Sequence, residues 1–304
     1  MPAPLDLLRR RIEQRVWAAT RPDTGFALDL SHPPGDPGLF GPAAVCWTIH
    51  DDFPAMMIGG IRALILQALH PLALTGVLQH SIFMQDMRGR LARTAQFITG
   101  TTFGSVRDAS GLIDRVNRIH RDIAGVAPDG RPYAARDPDL LRWVHVAEVS
   151  SFLAAYLAYA DAGLSGADQD RYLAETATIA RRLGATDVPE NRAAVDACID
   201  ACRPQWVASA SMHTAIGQLL THRDASRADR HAMRLFVAAA VQLLPPAART
   251  LMTGALGRRH GLVVPATRVA CRVLRWAIRQ TAGQRARARV AAVVCNMSSE
   301  PRKI

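Results

Sequence analysis

An apolar run approaching the length of a membrane span, Trp143 to Ala160 (WVHVAEVSSFLAAYLAYA), constrains this chain more than any other feature. Such a segment can be a spanning helix or the central helix of a large core. His145 and Glu148 stand near its start and two serines follow, and a charged side chain inside a bilayer is expensive. The segment is therefore expected to be a buried core helix. At 304 residues, 49% of them hydrophobic, the chain is long enough to build the core such a helix needs.

Alanine, leucine and arginine dominate, and alternating runs of β-branched residues are scarce, so the expected fold class is all-α: one multi-helix domain enclosing an apolar cofactor pocket. Apolar spacing over Leu5–Ala19 predicts an N-terminal helix, and Thr20–Pro42 reads as a loop rich in Pro, Gly and Asp. From Pro54 to Gln79 the chain is apolar but carries Leu69-His70-Pro71, where proline predicts a kink or a break between two helices. Further helices are expected over Met87–Thr99, Ala109–Gly125, Pro138–Ala162, Gly166–Leu183, Glu190–Arg203, Arg203–Leu220, Ala228–Leu244 and Ala266–Gln280. Turn signals separate them, among them Ala127 to Pro132 and Pro245-Pro246. One domain is the simplest reading, with an N-terminal helix and loop (1–40), a main helical body (41–256) and a basic C-terminal helix and tail (257–304).

The charge is uneven. From Arg249 onward twelve basic residues face one acid, Glu300, which accounts for the whole net charge of +11 and leaves the rest of the chain neutral. Arg268, Arg272, Arg275 and Arg279 recur at helical spacing among Val269, Val273, Leu274 and Trp276. That pattern suits either peripheral contact with an anionic membrane or a solvated face of a packed helix. A nucleic-acid partner is disfavoured, because no recognisable motif or aromatic interleaving accompanies the charge. The start of the chain lacks an apolar signal core and the cysteines are scattered, so cytoplasmic placement with reduced thiols is the expectation.

Four constellations could carry chemistry. Arg90 and Thr94 lie one turn apart on a predicted helix and could hold an anionic group. His120 borders the apolar stripe of Leu112, Ile113, Val116 and Ile119; a histidine there is ordinarily a hydrogen-bonded core residue, and would equally suit an axial haem ligand. His145 and Glu148 share a face and could pair. His70, Gln79, His80 and Ser81 punctuate an acid-free apolar segment, Ile61–Met84, and could line a pocket or cap helices. His50, in a polar stretch, is not expected to act. No nucleophile elbow or phosphate-binding glycine loop is present.

In order and spacing, LILQALHPLALTGVLQHS, RLARTAQFITGTTFG, VNRIHRDIAG, GRPYAARDPDLLRWVHV and QLLPPAARTL resemble the MpaB and rubber-oxygenase (latex-clearing protein) catalytic domain family, over roughly Gly41 to Leu256. The resemblance implies an α-helical b-type haem protein that uses dioxygen. It implies His120 as the proximal iron ligand, Arg90 and Thr94 beside the haem, and Arg249 near a propionate. Arg93 stands where rubber-cleaving members can carry a distal lysine, and no glutamate occurs between Pro54 and Gln85 to match their distal carboxylate. These departures argue against polyisoprene as substrate. The expected function is a haem-dependent oxygenase or related oxidoreductase on an apolar or lipid-like molecule, with His70, His80 and Arg93 as catalytic candidates and an unspecified electron donor; the alternative is a non-catalytic haem- or lipid-binding protein.

Overall fold

The computed structural model describes residues 4–20, 28–80, 87–220, 226–252 and 261–297. In chain order these form helices α1 (Pro4–Thr20), α2 (Val45–His50), α3 (Phe53–Leu69), α4 (Pro71–His80), α5 (Met87–Phe103) and α6 (Val106–Arg121). Strands β1 (Ala124–Val126) and β2 (Pro132–Ala134) follow, then α7 (Pro138–Tyr159), α8 (Gly166–Arg182), α9 (Arg192–Cys202), α10 (Ala210–Leu220) and α11 (Arg227–Gln242). The last three are α12 (Pro246–Leu251), α13 (Val263–Ala277) and α14 (Ala282–Met297). The chain is thus all-α apart from one antiparallel hairpin that pairs Ala124 with Ala134 and Val126 with Pro132.

The centre is the pair α3 and α7. Each begins the same way: an aspartate accepts backbone N–H groups of the first turn, and a proline occupies a position where its missing N–H costs nothing. Asp52 serves Ala55, and Asp137 serves Asp139 and Leu140. Beyond these starts both helices are apolar nearly all round and buried accordingly, with Ile58, Ile61, Ile65 and Leu66 from α3 and Trp143, Val146, Phe152 and Leu153 from α7 in one core. Gly59 permits the approach: a Cβ there would lie 2.9 Å from Phe152 Cα and 3.0 Å from Ser151 O. One turn later the buried Arg62 donates from Nη1 to Ser151 Oγ (2.7 Å) and from Nε to Leu243 O (2.8 Å).

The other helices surround this pair. α2 packs against α8 and α5, α11 and α13 pack on α3, α1 lies along α13, and α14 reaches α5. The break predicted at His70-Pro71 is a bend of 102° between α3 and α4. Among the described residues no single helix is long and apolar enough to cross a membrane.

Several boundaries differ from expectation. Arg203–Leu220 is not one helix; Arg203–Gln205 form a single 3-10 turn, Trp206 is extended, and α10 starts only at Ala210. Pro246 opens α12 where the proline pair was taken as a separator, because proline suits a first helical position as well as a break. α2 and α14 were not anticipated. The C-terminal segment is built into the domain: Arg289, 1% exposed, donates to the carbonyls of Asp36 (2.9 Å) and Phe103 (2.8 Å), with Leu30 O and Gly104 O at 3.3 and 3.4 Å.

The glycine pair in α3 tests this description. Gly59→Ala is expected to destabilise by about 1–3 kcal/mol, because backbone and not a flexible side chain stands in the way. Gly60, whose Cβ would meet nothing within 4 Å, should instead gain up to about 1 kcal/mol on replacement by alanine. Denaturant midpoints of the two variants moving in opposite directions would bear this out; a shared direction would not.

Candidate functional site at the open end of the helix hairpin

α5 and α6 run antiparallel, joined only by Gly104 and Ser105. The joint is tight because Gly104 N–H bonds Gly100 O, and Ser105 caps α6 by accepting the N–H of Asp108. Residues equally far from the turn are therefore brought to the same level. His120, in the last turn of α6, belongs to the same open end of the hairpin as Arg90, Arg93 and Thr94 in the first turns of α5. The β hairpin closes on this end from the α4 side: Tyr133 packs on Gly76, its hydroxyl donates to Gln79 Oε1 (2.5 Å), and its ring meets His80 edge-on at 6.1 Å. The strands that follow α6 are thus tied to the C-terminal half of α4.

His120 is partly buried, and its Nδ1 is a buried nitrogen with no hydrogen-bond partner. Burial pushes its pKa below the ordinary histidine value, so the ring is neutral at physiological pH. A neutral imidazole is the form that can ligate a metal, and its Nδ1 has no competing hydrogen bond. Thr94 is half-buried on α5 and Arg93 is exposed. The backbone of Arg90 is in α5, one turn before Thr94, but its side chain lies outside the described residues, as do Ser81 and Met84.

The other expected site residues lie elsewhere or are already committed. His70 is buried at the bend, where Nδ1 accepts the N–H of Ala73 (3.4 Å), Gln205 hydrogen-bonds the ring and Trp143 lies 6.1 Å away. Those contacts make it a cap for the start of α4. His80 ends α4 and is exposed. Arg249 is exposed on α12. His145 is buried with Nε2 unpartnered, so that nitrogen does not reach Glu148, which instead accepts from Gln67 Nε2 at 3.4 Å.

One buried polar centre escaped the sequence reading. His50 bonds Thr102 Oγ1 through Nδ1 (2.8 Å) and the Tyr172 hydroxyl through Nε2 (2.9 Å), between the rings of Phe152 and Tyr172. Burial holds its pKa down at about 3, and burial with the nearby Arg181 holds His145 at about 4. The polar neighbours Thr48, Asp51 and Asp52 disguised this position, because the partners of His50 come from α5 and α8. No local signal reveals it.

A family model described as "ER-bound oxygenase mpaB/B'/Rubber oxygenase, catalytic domain" matches residues 47–276, more than half of the chain. The match begins in α2 and ends in α13, so it contains the whole hairpin end. No curated protein and no solved structure matches the chain.

The two histidines held lowest, His50 and His145, set a pH dependence. In the unfolded chain each protonates near its ordinary value of 6.5, whereas the native state holds them neutral down to about 3 and about 4. Their contribution is intact above the unfolded value and is lost as the pH falls below it, by about 1.4 kcal/mol per pH unit for each. His50→Gln, which keeps hydrogen-bonding capacity without titrating, should flatten the fall in unfolding free energy between about pH 6.5 and about pH 4. An equally steep fall in the variant would show that His50 is protonated in the native protein.

Proposed function

The chain belongs to the ER-bound oxygenase mpaB/B'/rubber oxygenase catalytic-domain family, and from that premise we propose that it is a haem b-dependent oxygenase or related oxidoreductase acting on an apolar or lipid-like molecule. The family is one of oxygenase catalytic domains. The single observation that carries the cofactor reading is the neutral ring of His120, uncommitted at its buried Nδ1, in the last turn of α6, which the two-residue joint turns back toward the first turns of α5.

In this reading His120 is the iron ligand, and its low proton affinity keeps the nitrogen free to donate at neutral pH. Arg90 supplies a planar cation for the acidic edge of the porphyrin, with the Thr94 hydroxyl one turn on. Arg249, in the LLPPAAR segment and exposed on α12, is assigned to a second carboxylate by the family resemblance alone. Bound haem supplies the activation of dioxygen; the helical core supplies orientation and exclusion of water. Of the three catalytic candidates, His80, at the end of α4, and Arg93, in the first turns of α5, remain the distal candidates, whereas the hydrogen bonds of His70 leave it a positioning role.

Purified full-length protein, reconstituted with haem, should show a Soret band, and His120→Ala should fold yet bind little haem or give an altered spectrum. Arg90→Ala should retain less haem with the same band. A wild-type spectrum in His120→Ala, with loss in His80→Ala or His145→Ala, would transfer the ligand to that histidine; no haem uptake by the wild type would end the cofactor reading. Dioxygen consumption with apolar substrates then separates turnover from binding alone.

A further inference from the structure

We propose that α13, with the groove beside it, is a docking site for an anionic membrane surface, in which arginines take lipid phosphates and an apolar crest enters the interface. The inference is independent of the cofactor. Helical geometry turns successive residues by 100°, so Val269, Val273 and Trp276 form one stripe of α13 while Arg268, Arg272 and Arg275 form the adjacent one. The opposite face is used up: Thr267, Cys271 and Ala277 are buried in the domain. The apolar stripe is used only in part: Arg9 of α1 lies over the Trp276 ring at 5.8 Å, yet Leu262, Val269, Val273 and Trp276 stay exposed to 81%, 58%, 43% and 41%. The apolar area that stays in water gains nothing for folding, and four such residues along one helix edge constitute a patch.

The arginine stripe says what covers that patch. Arg275 is paired with Asp52 (2.6 Å) and Arg279, beyond the helix, with Glu13 (2.7 Å), so those two charges are neutralised within the fold. Arg268 and Arg272 are exposed; Arg268 makes a long bond to Ala158 O (3.5 Å), and among the described residues no acid pairs with either. Both line an open groove of about 250 Å³ with Arg275 and the C-terminal end of α7, Leu157 to Ala160 and Ala162. No acidic residue occurs from Gly261 to Met297. Guanidinium groups suit phosphate oxygens, and apolar side chains flanked by arginines suit the boundary between headgroups and acyl chains. A soluble acidic partner would use the arginines and leave the apolar crest in water; a second copy would bury the crest and bring its own arginines into repulsion. An anionic bilayer satisfies both stripes at once.

The test is flotation of the full-length protein with vesicles of phosphatidylcholine alone or containing about 25% phosphatidylglycerol. Binding is expected only to the anionic vesicles, falling with added salt. Arg268→Gln with Arg272→Gln should weaken it about thirtyfold, and Val273→Asp should abolish it, with thermal unfolding and circular dichroism unchanged since these side chains are exposed. The proposal is overturned if wild-type protein binds neither vesicle, if the variants bind as the wild type does, or if free phosphate at millimolar concentration competes as well as the lipid. It is overturned equally if the protein forms a dimer that Val273→Asp dissociates, since the crest then belongs to a second copy.

Discussion

The close contact of α3 and α7 at Gly59 and Phe152 is the constraint from which the remaining packing follows. It brings the buried Arg62 within reach of Ser151 on one side and the end of α11 on the other. The last carbonyls of a helix have no partner within it, and α11 is followed by Pro245-Pro246, which has no N–H to offer. The Nε of Arg62 supplies the missing donor at Leu243 O. Burial lowers the guanidinium pKa to about 10, still charged at neutral pH, without a carboxylate in contact. The LLPPAAR segment is therefore set in place by a residue far from it in sequence, and the direction of α12, with Arg249 on it, follows from that anchor.

Two consecutive aspartates perform the same service for the C-terminal helices. Asp52, already the cap of α3, also receives Arg275 of α13. Asp51 accepts the N–H of Gly283 (2.7 Å) and the Thr281 hydroxyl (2.8 Å) at the start of α14, where the helix dipole favours an anion. A Cβ at Gly283 would lie 2.6 Å from the Asp51 carboxyl carbon, so glycine is the residue that admits the cap. Arg289 then fills the space among the carbonyls of Leu30, Asp36, Phe103 and Gly104. An excess of arginine that reads in the sequence as a single basic tail thus divides into charges that the fold consumes and charges that it leaves outside.

How much was legible follows from where each stabilising partner lies. α7 and the bend at His70-Pro71 could be read because their causes, an apolar run and a proline, are local. α2 could not: no side chain of its own caps it, and Glu175 from α8 accepts the N–H of Val45 and Cys46 instead. α14 depends in the same way on Asp51. The overextended Arg203–Leu220 helix failed for a related reason: the backbone at Val207 is drawn out to bond Leu69 O (2.9 Å), a tertiary contact that outweighs local propensity. His50 was passed over because its partners, Thr102 and Tyr172, are distant in sequence. The grouping of Arg90, Thr94 and His120 was readable only through their shared family motifs; the two-residue joint between α5 and α6 is its physical reason.

Among the described residues, two imidazole nitrogens are buried without a hydrogen-bond partner, on His120 and His145, and each such atom costs about 1–3 kcal/mol. The two sites differ in what could relieve that cost. His145 is in the second turn of α7, and burial alone accounts for most of its depressed proton affinity. His120 stands in the last turn of α6, and helix ends are the part of a helical domain where side chains are held least tightly by neighbours on both sides. A fold that leaves a neutral ring nitrogen unspent near a helix end can relieve its cost by a small shift or a bound group, whereas the unpartnered Nε2 of His145 is enclosed by the core. The same kind of cost is therefore carried at both histidines, and their places in the fold differ in what could remove it.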